Sequence, residues 1–132
     1  MSIITCSLAL LAGCNQAPKF KGTDITGADY GKSLRLNDPT GRPRSLEDFR
    51  GKAVVLFFGY THCPDVCPTT LADLAGVMKS LGPQADRVQV LFVTVDPERD
   101  TPEALSKYVG AFDPRFIALR GDEDATQRAA KE

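Results

Sequence analysis

Cysteine, histidine and net charge are all scarce in this sequence, and each shortage closes off a class of protein. Four cysteines in 132 residues are too few for a disulfide scaffold. They fall into two unlike pairs, Cys6 and Cys14 near the start and Cys63 and Cys67 in the body, and the single histidine, His62, does not complete a four-ligand zinc site with either. Sixteen basic against seventeen acidic side chains leave a formal charge of -1, so nothing in the balance calls for nucleic acid or an anionic membrane surface as partner. No apolar run reaches the roughly 20 residues of a membrane span. Internal repeats and low-complexity tracts are also absent. What remains is a chain with 42% hydrophobic residues, long enough for one domain with its own core and too short for two.

The opening "MSIITCSLALLAGCNQAPKF" carries an apolar run from Ile3 to Leu11, the length of a signal-peptide core. It ends in "LAGC", which resembles the lipobox of bacterial lipoproteins, where the signal is cut before a cysteine that then carries the acyl chains. Residues 1–13 are thus expected to be a signal peptide and Cys14 a lipidated first residue, placing the protein in a bacterial cell envelope, anchored to the membrane and facing its extracytoplasmic side. The other reading is a plain buried segment, since the Lys or Arg that normally precedes such a run is missing. Residues 14–31 have no apolar period and read as a tether.

From residue 32 onward the pattern is that of one α/β domain. "KSLRLNDPTGRPRSLEDFRGK" predicts a short hairpin followed by a helical turn ending at Gly51. "AVVLFFGY", residues 53–60, is apolar without alternation, as in a strand covered on both faces, and is expected to be central. Leu71, Leu74, Ala75, Met78 and Leu81 form a helical stripe. "VQVLFVTVD", residues 88–96, predicts a second buried strand; Thr101 and Pro102 open a second helix; "RFIALRG" is a third strand, and "DEDATQRAAKE" begins another helix. Alternating strands and helices with short connections imply a parallel sheet, whose site-bearing loops, residues 59–70 and 94–101, rise together beyond the carboxyl ends of the strands.

The chemistry is concentrated in "GYTHCPDVCPTT", residues 59–70. Proline disfavours the α conformation in the residue before it, so Cys63 and Cys67 are expected in turn or extended backbone, with the helix starting at Pro68. Cys67 then caps the helix and Cys63 lies just above it. Both sulfurs meet free N–H groups and the positive end of the helix dipole, and both are expected to ionise readily. Such a pair can share an oxidation to a disulfide or jointly hold a soft ion such as Cu(I). Three residues separate the cysteines, where a dithiol oxidoreductase typically has two, and the wider loop lets both sulfurs point at one ion. His62 is the one available third ligand, although neighbours in an extended segment diverge; its other reading is an anchor of the loop. A structural disulfide also stays open, although so small a loop removes little unfolded-state entropy. In the second loop, "TVDPERDTPE", Asp96 is the carboxylate expected beside the thiols, where it would raise their pKa; the alternative is a solvated turn and helix cap.

On these residues the chain resembles the Sco/SenC family of copper-binding proteins. "FFGYTHCPDVCPTTL" resembles the family's metal loop, "VTVDPERDTPEAL" its second signature and "GRPRSLEDFRGK" the approach to the first long strand. The resemblance implies a thioredoxin-like fold, copper as cargo on Cys63 and Cys67, a copper donor protein, and service to the copper A subunit of cytochrome c oxidase. Delivery of copper would make the chain a binding protein; reduction of that subunit's cysteines by the same pair would make it a thiol-disulfide oxidoreductase. A peroxidase of related fold is a third option. The family's remaining ligand is a histidine beyond the second signature, which with the last strands and closing helix has no counterpart in residues 32–132; weak Cu(I) binding by two sulfurs and an associating sheet edge are the corresponding expectations.

Overall fold

The computed structural model describes residues 21–28 and 34–131. The expected signal peptide, Cys6 and the expected lipidation site Cys14 lie outside those residues. Residues 21–28, the described part of the expected tether, are exposed throughout.

The domain opens with a hairpin of two-residue strands, β1 (Leu36–Asn37) and β2 (Pro43–Arg44). It turns through Asp38 and Gly41, whose φ of 82° is one that glycine adopts without strain. A 3₁₀ turn, Leu46–Phe49, leads into β3 (Ala53–Gly59). Then follow α1 (Val66–Leu81), β4 (Val88–Thr94), α2 (Pro102–Gly110), β5 (Ile117–Leu119) and α3 (Glu123–Lys131). The last three strands pair in the order β3-β4-β5, all parallel, as the alternation of strands and helices predicts.

One expectation changes. Among the described residues the central strand is β4, and β3 stands at an edge of the sheet. Both strands are apolar runs covered on two faces, and that property alone does not distinguish the middle of a sheet from its side.

Side-chain alternation along the strands sends alternate residues to opposite layers. Val90 and Phe92 of β4, with Ala118 of β5, meet Leu71 and Met78 of α1 and Leu105 and Val109 of α2 in one core. Leu91 and Val93, with Leu119, meet Leu36, Phe49 and Ala129 on the other side. Because the chain steps across the sheet in one direction, both crossover helices cover the same face. The parallel register sets Gly59 opposite Thr94, and the amide of Val95 donates to the Gly59 carbonyl at 2.8 Å. The loops after β3 and β4 therefore leave the sheet side by side, and the candidate site forms between them.

Candidate functional site: a dithiol at the sheet rim

The first loop closes with a turn in which the Cys63 amide donates to the Tyr60 carbonyl at 3.3 Å. The helix then starts earlier than its prolines predict: α1 begins at Val66 with Asp65 as its N-cap, so Cys67 lies inside the first turn and Pro68 follows it. The bias that proline imposes on its predecessor is overridden because Pro68 still lies where a helical N–H needs no partner within the helix. That leaves the Cys67 amide free, and it donates to the Cys63 sulfur at 3.4 Å. Sulfur thus does the work that a Ser or Asp oxygen usually does at a helix start.

The two cysteines are both free thiols and they are not equivalent. The Cys63 thiol is pulled below its ordinary pKa, chiefly by a hydrogen bond from the Cys67 side chain, with the Cys67 and Asp65 amides adding to it. Cys67 is only 5% exposed. Burial pushes its thiol up, and the bond it shares with Cys63 and the negative charge of Asp100 push the same way. The expectation of two easily ionised sulfurs is corrected to one: the dipole and amides favour Cys63, and desolvation outweighs them at Cys67.

Gly59 makes room for this burial. A Cβ there would stand 2.9 Å from the Cys67 sulfur and 2.8 Å from the Phe92 ring, so β3 ends in the one residue that lets the sulfur settle against the core.

Asp96 is engaged by a cation of its own loop. It pairs with Arg99, which holds its carboxyl below the usual range, and its amide donates to the Thr94 hydroxyl oxygen at 3.0 Å. The carboxylate that acts on the dithiol is Asp100, fully buried and missed as a site residue in the sequence. It accepts the Thr94 hydroxyl at 2.6 Å, the Thr61 hydroxyl at 2.6 Å and the Thr61 amide at 3.1 Å. The available signal was a pair of threonines, Thr94 at the end of β4 and Thr61 two residues past the end of β3, whose hydroxyls share Asp100 as acceptor.

His62 is 61% exposed, with Nδ1 3.1 Å from the Thr61 hydroxyl and 3.8 Å from Asp100. Because Thr61 gives its proton to Asp100, its oxygen accepts from His62, which puts a hydrogen on Nδ1. Among the described residues no three His, Cys, Asp or Glu side chains converge to hold a metal, so His62 is not brought onto the two sulfurs. Two adjoining sulfurs, one of them open to the rim, are a donor set that suits a soft monovalent ion.

A parallel α/β sheet with a CxxxC dithiol where a helix leaves its rim defines a thioredoxin-like protein. The sequence matches the SCO1/SenC family over residues 22–132, and the chain belongs to that family. It is 44% identical over 98 residues to "Protein SCO2 homolog, mitochondrial" of Mus musculus, covering 73% of this chain and 38% of the mouse protein. Among solved structures it is similar to Bradyrhizobium japonicum ScoI with copper bound, at 41% identity and a TM-score of 0.69, covering 74% of this chain and 62% of that one. It is also similar to BsSco, described as a member of the Sco family of cytochrome c oxidase assembly proteins with a disulfide switch, at 26% identity and a TM-score of 0.62, over 76% of this chain and 62% of that one. The chain therefore spans well under half the length of the mouse relative. Four vertebrate relatives at 44 to 46% identity are named mitochondrial, which overturns the expectation of a bacterial envelope protein.

Proposed function

We propose that this chain is the copper-handling part of a cytochrome c oxidase assembly factor, holding Cu(I) on Cys63 and Cys67 and passing it to the oxidase's copper A subunit. The observation that carries the reading is the pair itself: two reduced sulfurs in hydrogen-bond contact at the mouth of α1, one accepting a backbone amide at 3.4 Å. A copper-bound relative with the same fold supports copper as the cargo, and the relatives' names point to mitochondria as the setting. Thiolate ligands suit Cu(I) in preference to harder ions, and Cys63, half-buried where Cys67 is buried, gives an incoming ligand a place to begin exchange. The test is Cu(I) uptake in competition with a chromophoric chelator. Cys63→Ser and Cys67→Ser should each lower it and the double variant should abolish it; uptake indifferent to both replacements overturns the proposal.

The inequality of the two thiols favours a second reading, reduction of the same subunit's cysteines. Cys63, the more acidic and accessible sulfur, attacks a partner disulfide as the thiolate, forming a mixed disulfide and releasing one partner thiolate. Cys67 then passes its proton to the partner thiolate already released and attacks the Cys63 sulfur, closing the Cys63–Cys67 disulfide and releasing the second partner thiolate. Under this reading Cys67→Ser accumulates the mixed disulfide on Cys63; failure to trap it with an oxidised target peptide counts against reduction and leaves copper delivery standing.

A further inference from the structure

Beyond the bond from the Val95 amide to the Gly59 carbonyl, where the strands end, the hydrogen bonds that tie the two rim loops together run from Thr61 to Asp100. Its carboxylate lies at the end of the β4 loop, fully buried, yet two of its partners belong to Thr61, 39 residues earlier in the chain. The third, Thr94, fixes the carboxylate to the strand from which its own loop departs. Thr61 is the second residue of the turn that runs from Tyr60 to Cys63, and through its hydroxyl it also holds His62. The second loop is braced independently from the residue that follows β5, Arg120, which donates through Nε and Nη2 to the Pro97 carbonyl at 3.1 and 2.9 Å. Asp100 is thus a fixed post to which the cysteine turn is tied. Without it the turn keeps the bond from the Cys63 amide to the Tyr60 carbonyl and loses the hydrogen bonds from Thr61 to the β4 loop.

We propose that Asp100 is the positioning residue of the dithiol: by binding Thr61 it holds the Cys63 sulfur over the Cys67 amide and sets the two sulfurs at the separation the site uses. The second loop then serves the first as a clamp and contributes no ligand. This rests on the reading of Cys63 and Cys67 as the Cu(I) pair. Partners that orient ligands without touching the metal commonly change affinity by about 10- to 100-fold when removed, which sets the size of the effect.

The experiment compares Asp100→Ala, Asp100→Asn and Thr61→Val in the full chain, using Cu(I) competition, iodoacetamide labelling assigned to Cys63 or Cys67 by fragment mass spectrometry, and circular dichroism. Asp100→Ala should weaken Cu(I) binding about tenfold or more while the sulfurs remain. It should also reduce the preference of the label for Cys63, because the Cys67 amide no longer meets that sulfur. Asp100→Asn keeps an acceptor oxygen in the same shape and should recover most of both properties, which general destabilisation would not allow. Should Asp100→Ala fail to fold, Thr61→Val, which keeps the amide tie and loses only the hydroxyl, carries the test and should show an intermediate loss. Wild-type affinity and labelling in folded Asp100→Ala, or in Thr61→Val where Asp100→Ala does not fold, overturns the inference, as does an Asp100→Asn variant no better than a folded Asp100→Ala. If the wild type takes up no more Cu(I) than Cys63→Ser/Cys67→Ser, the copper reading fails by itself, and the labelling ratio still decides the role of Asp100.

Discussion

At residue scale the site depends on what surrounds each sulfur. Cys63 has two amides and a thiol directed at it, and Cys67 has the Phe92 ring, a neighbouring carboxylate and little water. At neutral pH the first equivalent of iodoacetamide is therefore expected on Cys63, with Cys67 following slowly; equal labelling in fragment spectra would contradict the asymmetry. Gly59 is the second residue on which the arrangement turns. Gly59→Ala forces a methyl into the Cys67 sulfur and the Phe92 ring and should cost about 1 to 3 kcal/mol in urea unfolding. Gly76→Ala, inside α1 with nothing within 4 Å of its new methyl, should instead add about 0.5 to 1 kcal/mol.

At the scale of elements, the turn that launches β5 is held by charge. Asp113 accepts the Arg115 amide at 2.9 Å and its guanidinium at 2.9 and 2.6 Å, and its own carbonyl takes the Phe116 amide at 3.0 Å. The Arg115 side chain holds the Asp113 carboxyl below its ordinary pKa. A group depressed in the folded state contributes its full stability above the unfolded value of about 3.9 and loses it as pH falls through the lower folded value. Asp113→Asn should cost about 1 kcal/mol at pH 7, the small end for a charge-assisted bond because Arg115 is 41% exposed. The gap from wild type should close as acid unfolding is followed below the ordinary carboxylate range; a gap constant with pH would remove the ion pair as its cause. The elements themselves were legible in the sequence because their signals are local: unbroken apolar runs for β3 and β4, a stripe at helical spacing for α1, and Thr101, whose side chain accepts the Ala104 amide as a helix cap. Less legible were the first turn of α1, where a proline bias met the pull of tertiary contacts, and the choice of Asp100 over Asp96. Two carboxylates four residues apart in one loop differ only in what the fold brings to them, Arg99 in one case and Thr61 in the other.

At the scale of the molecule, the sheet separates two cores that share few partners. One is filled from α1 and α2, the other from the hairpin, the 3₁₀ turn and α3. Val109→Ala on one side and Leu36→Val on the other should each cost about 1 to 3 kcal/mol. The double variant should match their total within about 0.5 kcal/mol. A larger discrepancy in urea unfolding would mean that the layers communicate through β4. The site sits where the layers end, on loops anchored to the ends of adjoining strands. Since the sulfur a partner must reach is also the acceptor that closes the start of α1, whatever occupies Cys63 changes the hydrogen bond of one backbone amide. In a ¹⁵N-labelled sample the resonance of Cys67 is consequently a built-in gauge, able to tell the vacant, loaded and oxidised forms apart with no probe attached to either thiol.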